Sequence, residues 1–336
     1  MIFPGGHVTM LERLRRFVLL CLAPAVAATV LVVGPAGAGP NDPTVLFGAR
    51  PEPGNQQGTT ALESQIGRQL AAIRVYYNWD SPFPDADLNW FIGSGHPLLL
   101  SVKTERVNHT FLQWRAIADA QPGSALHNDI VRWATRIRNL GVHVYFTFNH
   151  EPETTLNNSG SGADFIAAWR KVITVFREQG VSNADYLWIM TAFSFKAQDR
   201  RRAIDWFPGD AYIDYMGADA YNWYNCRPGT SNPWNSLEKL LNPMRLFAQG
   251  HAIKGLMVPE YASTEDPAQP NRKAQWFNDA RALFKKAGWE GFKAILYYNK
   301  TSKYPNCRWF VSSSTASLDA FRAMGADVYY TRTEQP

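Results

Sequence analysis

Two glutamates are set apart by the residues before them. Glu151 follows the apolar run Val142–Phe148 in the stretch Asn149-His150-Glu151-Pro152, and Glu260 follows Lys254–Val258 in Pro259-Glu260-Tyr261. Short, strongly apolar runs of this kind read as strands buried on both faces. A carboxylic acid at the end of each could meet the other in one cleft. One proton-donating carboxyl and one nucleophilic or basic carboxylate are what the cleavage of a glycosidic acetal needs. The donor must be kept protonated by burial or by the other group's charge. Three further runs end in polar and aromatic residues: Tyr76-Tyr77-Asn78-Trp79-Asp80, Gly217-Ala218-Asp219-Ala220-Tyr221-Asn222-Trp223 and Tyr297-Tyr298-Asn299. Asn149, His150, Asp219, Tyr221, Trp223, Trp79 and Tyr298 are therefore candidate binding or supporting groups. His150 would orient a carboxylate or bind a sugar hydroxyl, and the Tyr221 phenol could reach a carboxylate on the next strand. Trp79, Trp223, Tyr224, Trp234 and Tyr298 fall in expected loops, where flat aromatic surfaces can stack on the C–H faces of sugars. Trp133, Trp169 and Trp276 fall on expected helices and read as packing residues.

The elements that must position these groups repeat. Short apolar runs alternate with stretches of 3.6-residue period. The runs are Val45–Phe47, Ile73–Tyr77, Leu98–Val102, Val142–Phe148, Tyr186–Thr191, Tyr212–Ala218, Lys254–Val258 and Phe292–Tyr297. The helical stretches between and after them are Ala61–Leu70, Leu88–Ile92, Asp129–Leu140, Asp164–Gln179, a weaker one near Arg200–Trp206, Ser236–Ala248, Lys273–Ala287 and Thr315–Met324. Thr60 with Glu63 reads as a capping box. Gly141, Gly180, Gly250, Gly288 and Gly325 read as left-handed helix C-caps. Eight parallel strand-plus-helix units, at about 37 residues each over residues 39–336, predict a single (β/α)8 TIM barrel. An open doubly wound sheet is the runner-up, without a G-x-G-x-x-G after the first strand to support it. Glu151 and Glu260 lie 109 residues apart. That is three units, which places them on the fourth and seventh strands, facing one another across the barrel.

Composition bounds the rest. The 336 residues are 46% hydrophobic and 19% charged, which supports a large core and excludes general disorder. The net charge is +5 without a Lys/Arg stripe, so a nucleic-acid partner is not indicated. Arg13, Arg15 and Arg16 precede an apolar run, Phe17 to Val33, and a small-residue stretch, Gly34 to Ala38. This reads as a signal peptide over 1–38, cut near Ala38, leaving a secreted domain over 39–336 without stable membrane insertion. Arg15-Arg16 hints at the twin-arginine route. With Cys21 removed, Cys226 and Cys307 are the remaining cysteines and read as a disulfide joining the loops after strands six and eight. No serine-hydrolase elbow, zinc helix or phosphate-binding glycine loop is present. A polysaccharide substrate, no cofactor, no metal and a monomer are expected.

Around these residues the chain resembles glycoside hydrolase family 26, retaining (β/α)8 enzymes best known for β-mannanases. His150-Glu151 matches the family's histidine and acid/base pair, and Glu260 its nucleophile. Gly217–Trp223 matches its sixth-strand segment, in which a tyrosine supports the nucleophile, and Leu98–Lys103 (LLLSVK) looks like its third strand. The likeness spans roughly residues 45–310. It implies a glycoside hydrolase acting by double displacement on a β-linked polysaccharide of the mannan or β-glucan type. Two departures are evident. Thr147-Phe148-Asn149-His150-Glu151-Pro152 stands where mannanases carry Arg-Pro-Leu-His-Glu, and Glu153-Thr154-Thr155-Leu156 has no aromatics. Tyr297-Tyr298 stands where a tryptophan is often found. A non-catalytic polysaccharide-binding barrel and a cell-wall transglycosylase are the alternative readings.

Overall fold

Residues 45–330 are described by the computed structural model. The expected signal segment 1–38 lies outside the described residues. Eight strands, β1 (Leu46–Arg50), β2 (Ala72–Tyr77), β3 (Leu98–Val102), β4 (Val144–Phe148), β5 (Ala184–Thr191), β6 (Tyr215–Asn222), β7 (Gly255–Ser263) and β8 (Phe292–Tyr298), pair in parallel in chain order, and β8 pairs with β1. The TIM barrel is therefore closed. Its helices are α1 (Gln56–Ile66), α2 (Ala86–Gly93), α3 (Trp114–Ala118), α4 (Ala125–Arg138), α5 (Leu156–Ser159), α6 (Gly162–Glu178), α7 (Leu237–Ala248), α8 (Arg272–Leu283) and α9 (Thr315–Ala326).

Side chains alternate across a strand, so each strand supplies two cores. Outward residues such as Leu98, Leu100, Val102, Val144, Phe146 and Phe148 pack beneath the helices. Inward residues Leu46, Ala72, Leu99, Tyr145, Leu187, Met257 and Ala294 fill the barrel floor. The inward series changes character along each strand: Ala72 is followed by Arg74 and Tyr76, Leu99 by Ser101 and Lys103, and Gly217 by Asp219 and Tyr221. The interior is thus apolar at the strands' N-terminal ends and polar at their C-terminal ends, where the loops of such a barrel gather.

One strand breaks the alternation. Between Met257 and Tyr261, β7 has one residue more than β6 between its partners Gly217 and Ala220. Between Val258 and Tyr261 it likewise has one more than β8. Met257 faces the barrel floor, whereas Val258 and Tyr261 both face the helices. The extra residue at this bulge turns Glu260 inward, which strict alternation from Met257 would not do.

Several local expectations are corrected. The crossover from β5 to β6 is built of 3₁₀ turns, Ser194–Lys196, Ala203–Trp206 and Asp210–Tyr212, rather than a helix near Arg200–Trp206. Pro208 and Gly209 interrupt it, and the buried Trp206 packs on Trp114 and Phe165 as a plug. The N-cap of α1 is Asn55, whose side chain accepts from Gly58 N, so Thr60 lies inside the helix. Glu63 instead accepts from Leu70 N at 2.8 Å and contacts His96 Nε2 at 2.8 Å. Gly141, Gly180 and Gly288 have the positive φ of a cap, but Gly250 does not and Gly325 lies within α9 against Phe47. β6 and β7 also run four and five residues past their expected ends at Ala218 and Val258.

Candidate active site

Glu260 is only 5% exposed, so its carboxyl group must find its partners inside the protein. Tyr76, from β2, donates to Oε1, and Tyr221, from β6, donates to Oε2. The guanidinium of Arg74, also buried, lies 4.0 Å from Oε1 and stacks 4.6 Å from the Tyr76 ring centroid. Three strands thus converge on one carboxyl group. Burial, reinforced by Glu260, holds the Tyr221 phenol well above its usual pKa, and it does the same for Tyr76, so both remain donors at neutral pH. Tyr298, from β8, is pushed up to about 12 by burial and by Glu260.

Glu151 stands on a strained turn. Asn149 and Glu151 are both non-glycine residues with positive φ, 48° and 47°. The turn is pinned on either side. Asn149 N donates to Val102 O at 2.8 Å, Glu151 N to Ile189 O at 3.0 Å, and Asn149 Oδ1 accepts from Thr104 N and Thr104 Oγ1 at 3.1 and 2.9 Å. Glu153, two residues on, is buried and accepts at Oε1 from Thr191 N, Thr191 Oγ1 and Ser194 Oγ at 2.8, 2.7 and 2.7 Å. This ties the loop after β4 to the loop after β5. Burial, the charge of Glu260 and that of Glu153 push the Glu151 carboxyl well above the usual carboxylate range. Arg74 and Lys103 pull the other way. The net direction keeps Glu151 protonated where an ordinary glutamate would be ionised.

Two more groups complete the centre. Asp219 is buried, and among the described residues neither of its carboxyl oxygens has a hydrogen-bond partner. Burial and the charges of Glu260 and Glu151 raise its pKa well above the usual value. The His150 ring lies 5.1 Å from that of Tyr76. Burial, with Arg74 and Lys103 nearby, lowers its pKa well below the usual value, so the imidazole is neutral. The centre therefore holds one carboxyl group ringed by donors and another poised as an acid.

Asn149, His150, Glu151, Asp219, Tyr221, Glu260 and Tyr298 are brought to one end of the barrel. Trp79 lies at the same end but faces away from the site. Its indole is buried, packs 6.1 Å from Phe148, donates to Asp129 Oδ2 at 2.9 Å, and belongs to the outward core with Trp133. Trp79 follows Tyr77, an outward residue, at a spacing of two, and keeps that side. Trp223 is at the site, but one of its faces is covered by the Arg227 guanidinium at 3.3 Å. Tyr224 and Trp234 pair with each other at 5.5 Å and carry Arg272. Cys226 and Cys307 form the disulfide between the loops after β6 and β8, with 4.9 Å between their Cα atoms. Within that second loop, Trp309 packs 5.5 Å from Tyr221 and 5.0 Å from Trp223. Lys273 anchors the same loop, donating to Arg308 O, Phe310 O and Ser313 Oγ at 3.0, 2.8 and 2.9 Å.

The amino-acid pattern of residues 104–287 matches the profile of glycosyl hydrolase family 26. The chain belongs to this family. Endoglucanase H of Acetivibrio thermocellus is 24% identical over 297 residues, an alignment that takes in 80% of this chain and 30% of that protein. The chain thus spans less than a third of the length of that relative. Among solved structures, the catalytic domain of a family 26 endo-β-1,4-mannanase from Bacillus sp. JAMB-750 superposes with a TM-score of 0.57 at 15% identity, covering 85% of this chain and 86% of that one. A family 26 β-mannanase from Bacteroides ovatus gives 0.56 at 15% identity, covering 88% and 92%. A modular endo-β-1,4-mannanase from Cellulomonas fimi gives 0.57 at 16%, covering 86% and 74%. These likenesses concern the fold.

Sequence reasoning missed Arg74, Tyr76, Lys103 and Glu153. The first three carried a signal: Arg74 and Tyr76 share the inward parity of Ala72, and Lys103 that of Leu99. An arginine in the middle of an apolar strand has to be paired in the barrel interior. Glu153 had no such signal, because it sits in a 3₁₀ turn whose orientation depends on the strained residues before it.

Proposed function

We propose that this family 26 member is a secreted, retaining glycoside hydrolase that cleaves a β-linked polysaccharide of the mannan or β-glucan type. The observation that carries this reading is the contrast between two carboxyl groups at one site. Glu260 is buried and receives two phenol hydroxyls, and Glu151 is biased toward its protonated form. In the first step Glu151 gives its proton to the glycosidic oxygen as Glu260 attacks the anomeric carbon. The leaving sugar departs with that proton and a glycosyl ester forms on Glu260. In the second step Glu151, now a carboxylate, takes a proton from water. The water oxygen attacks the anomeric carbon, Glu260 departs, and two inversions give net retention. Neutral His150 and Asp219 serve as hydrogen-bonding groups for substrate hydroxyls, and Tyr298 lines the same space.

The names of the relatives, an endoglucanase and endo-mannanases, support the choice of β-glucan or mannan. The export features of residues 1–38 support a location outside the cytoplasm. The test is to incubate the protein with mannans, β-glucans and xylans and follow new reducing ends. Glu260→Ala should lose turnover, and azide should restore bond cleavage with release of a glycosyl azide of inverted configuration. Full activity of Glu260→Ala on the best substrate would remove the nucleophile assignment.

A further inference from the structure

Three cations stand around the site at the C-terminal ends of the strands, without an ion-pair partner among the described residues. Lys103 ends the inward series of β3, 5.8 Å from the Tyr76 ring centroid and near enough to act on both Glu151 and His150. Arg50 ends β1, 5.7 Å from the same ring, and its charge reaches Tyr298. Arg227 lies on the loop after β6, and the charges of Arg227 and Glu151 act on each other. Among the described residues, none of the three forms an ion pair with a carboxylate. Lys103 Nζ and the Arg227 guanidinium have no hydrogen-bond acceptor there, and the Arg227 Nε is buried. Arg50 reaches only its neighbour's carbonyl, Pro51 O. Glu52, the carboxylate whose charge acts with Arg50, is taken up by Thr301 N and Thr301 Oγ1 at 2.5 Å each.

Arg272 provides the contrast. It too stacks on aromatics of the loop after β6, 4.4 Å from the Trp234 ring, but it is paired with Asp266 at 2.6 Å. Arg227 covers Trp223 more closely, at 3.3 Å, and has no such partner. One face of Trp223 is thus closed to a neutral sugar and carries instead a guanidinium with free N–H groups. A guanidinium fork is matched to carboxylate oxygens. The centre beneath would not repel such a group. Glu151, Glu153 and Asp219 are all biased toward the neutral form, and Glu260 faces Arg74. Unpaired charges of one sign concentrate substrates of the other.

We infer that Arg227, Lys103 and Arg50 select an anionic β-linked polysaccharide, with Arg227 and Lys103 binding carboxylate groups of uronate residues on either side of the cleaved bond. This deepens the hydrolase reading, on which it rests for the site's location, by narrowing the mannan- or glucan-type backbone to its form carrying carboxylates at C6. The test is titration of matched hexasaccharides that differ only at C6: β-1,4-mannuronate against β-1,4-mannose, and β-1,4-glucuronate against β-1,4-glucose. Binding is measured on Glu151→Gln, which stops proton donation while leaving the charge of a neutral carboxyl group unchanged. Hydrolysis is measured on the wild-type protein. At least one uronate hexamer should bind about tenfold or more tightly than its neutral counterpart, and the preference should shrink as salt rises. Adding Arg227→Ala or Lys103→Gln should each weaken uronate binding by about tenfold without weakening neutral binding, and Arg227→Lys should recover only part of the lost affinity, since an ammonium cannot reproduce the guanidinium fork. Equal or tighter binding of the neutral partners overturns the inference. So does an equal loss for both classes in the variants, or no binding of any hexamer. A uronate that binds selectively but is never cut leaves this inference standing and removes the hydrolase. A neutral glycan that is preferred and cut does the reverse.

Discussion

A Cβ atom placed on Gly217 of β6 would lie 2.8 Å from Cγ and 3.1 Å from Cδ of Pro259 on β7. The glycine therefore makes the space into which the β7 bulge folds, and the bulge is what aims Glu260 inward. The proline ring is fused to its backbone and cannot swing aside as a long side chain could. Gly217→Ala is expected to push on the bulge from below. Overpacking of this kind costs about 1–3 kcal/mol. A displacement of about 1 Å at a reacting group such as the one proposed for Glu260 can cost about a hundredfold in rate. We expect kcat to fall far more than the melting temperature suggests, as steady-state kinetics and calorimetry on one preparation would show.

The two phenols on Glu260 are expected to be non-additive. Tyr76→Phe and Tyr221→Phe each leave one buried carboxyl oxygen without its donor, at a cost of about 1–3 kcal/mol. Each should lower kcat/KM by about ten- to a hundredfold. The double variant should lose less than the product of the two, because both hydroxyls act on one carboxyl group. A double-mutant cycle on kcat/KM measures the shortfall.

Activity should have an alkaline limb set by Glu151. In the proposed mechanism its carboxyl group acts in the protonated form, and burial with its acidic neighbours raises its pKa. The fraction in working form falls as pH rises through that value. Glu151→Gln should be nearly inactive on natural glycosidic bonds. It should retain its first step on an aryl glycoside whose leaving group needs no proton, with the alkaline limb abolished.

Asp219 should make the protein less stable at neutral pH than its amide variant. Its folded pKa lies above the unfolded value. Between the two values the folded chain holds more protons than the unfolded chain, so stability falls as pH rises through that window. It is fully present only below the unfolded pKa of about 4. Asp219→Asn removes this penalty and should raise the melting temperature at pH 7 by a few degrees. At pH 4 the gain should disappear, and at both pH values activity should drop.

Reduction of the Cys226–Cys307 bond should be felt at the site as well as in stability. The cysteines are 81 residues apart. Loop-closure entropy alone gives about 4 kcal/mol for a ring of that size. Cys226→Ser should lower the melting temperature and raise KM, since the two joined loops carry Trp223 and Trp309. Thermal scans and substrate saturation with and without reductant test both.

The barrel was legible because parallel strands covered on both sides leave short, largely apolar runs, as in Leu98–Val102 and Val144–Phe148. Glu151 and Glu260 were legible as polar residues arriving just after such runs. The bulge was not. Pro259-Glu260 read as a strand's end, whereas β7 continues to Ser263, because the register shift depends on Gly217 in another strand. Trp79 was misplaced for a related reason: lying beyond a strand does not settle which way a side chain faces. The crossover after β5 read as a weak helix because Ala203–Trp206 has one helical turn's worth of apolar residues, and the rest is held by packing of Trp206.

The loop after β8 is tethered covalently at Cys307 and gripped by Lys273 through four oxygen atoms. That wall of the site is held in place by the protein's own bonds, ahead of the proposed substrate. Little ordering entropy is left to lose on association, which favours tight recognition of a chain that fits. The same rigidity makes this wall intolerant: decorations projecting toward it have no means of moving it, so branched polymers would be turned away at this side rather than accommodated.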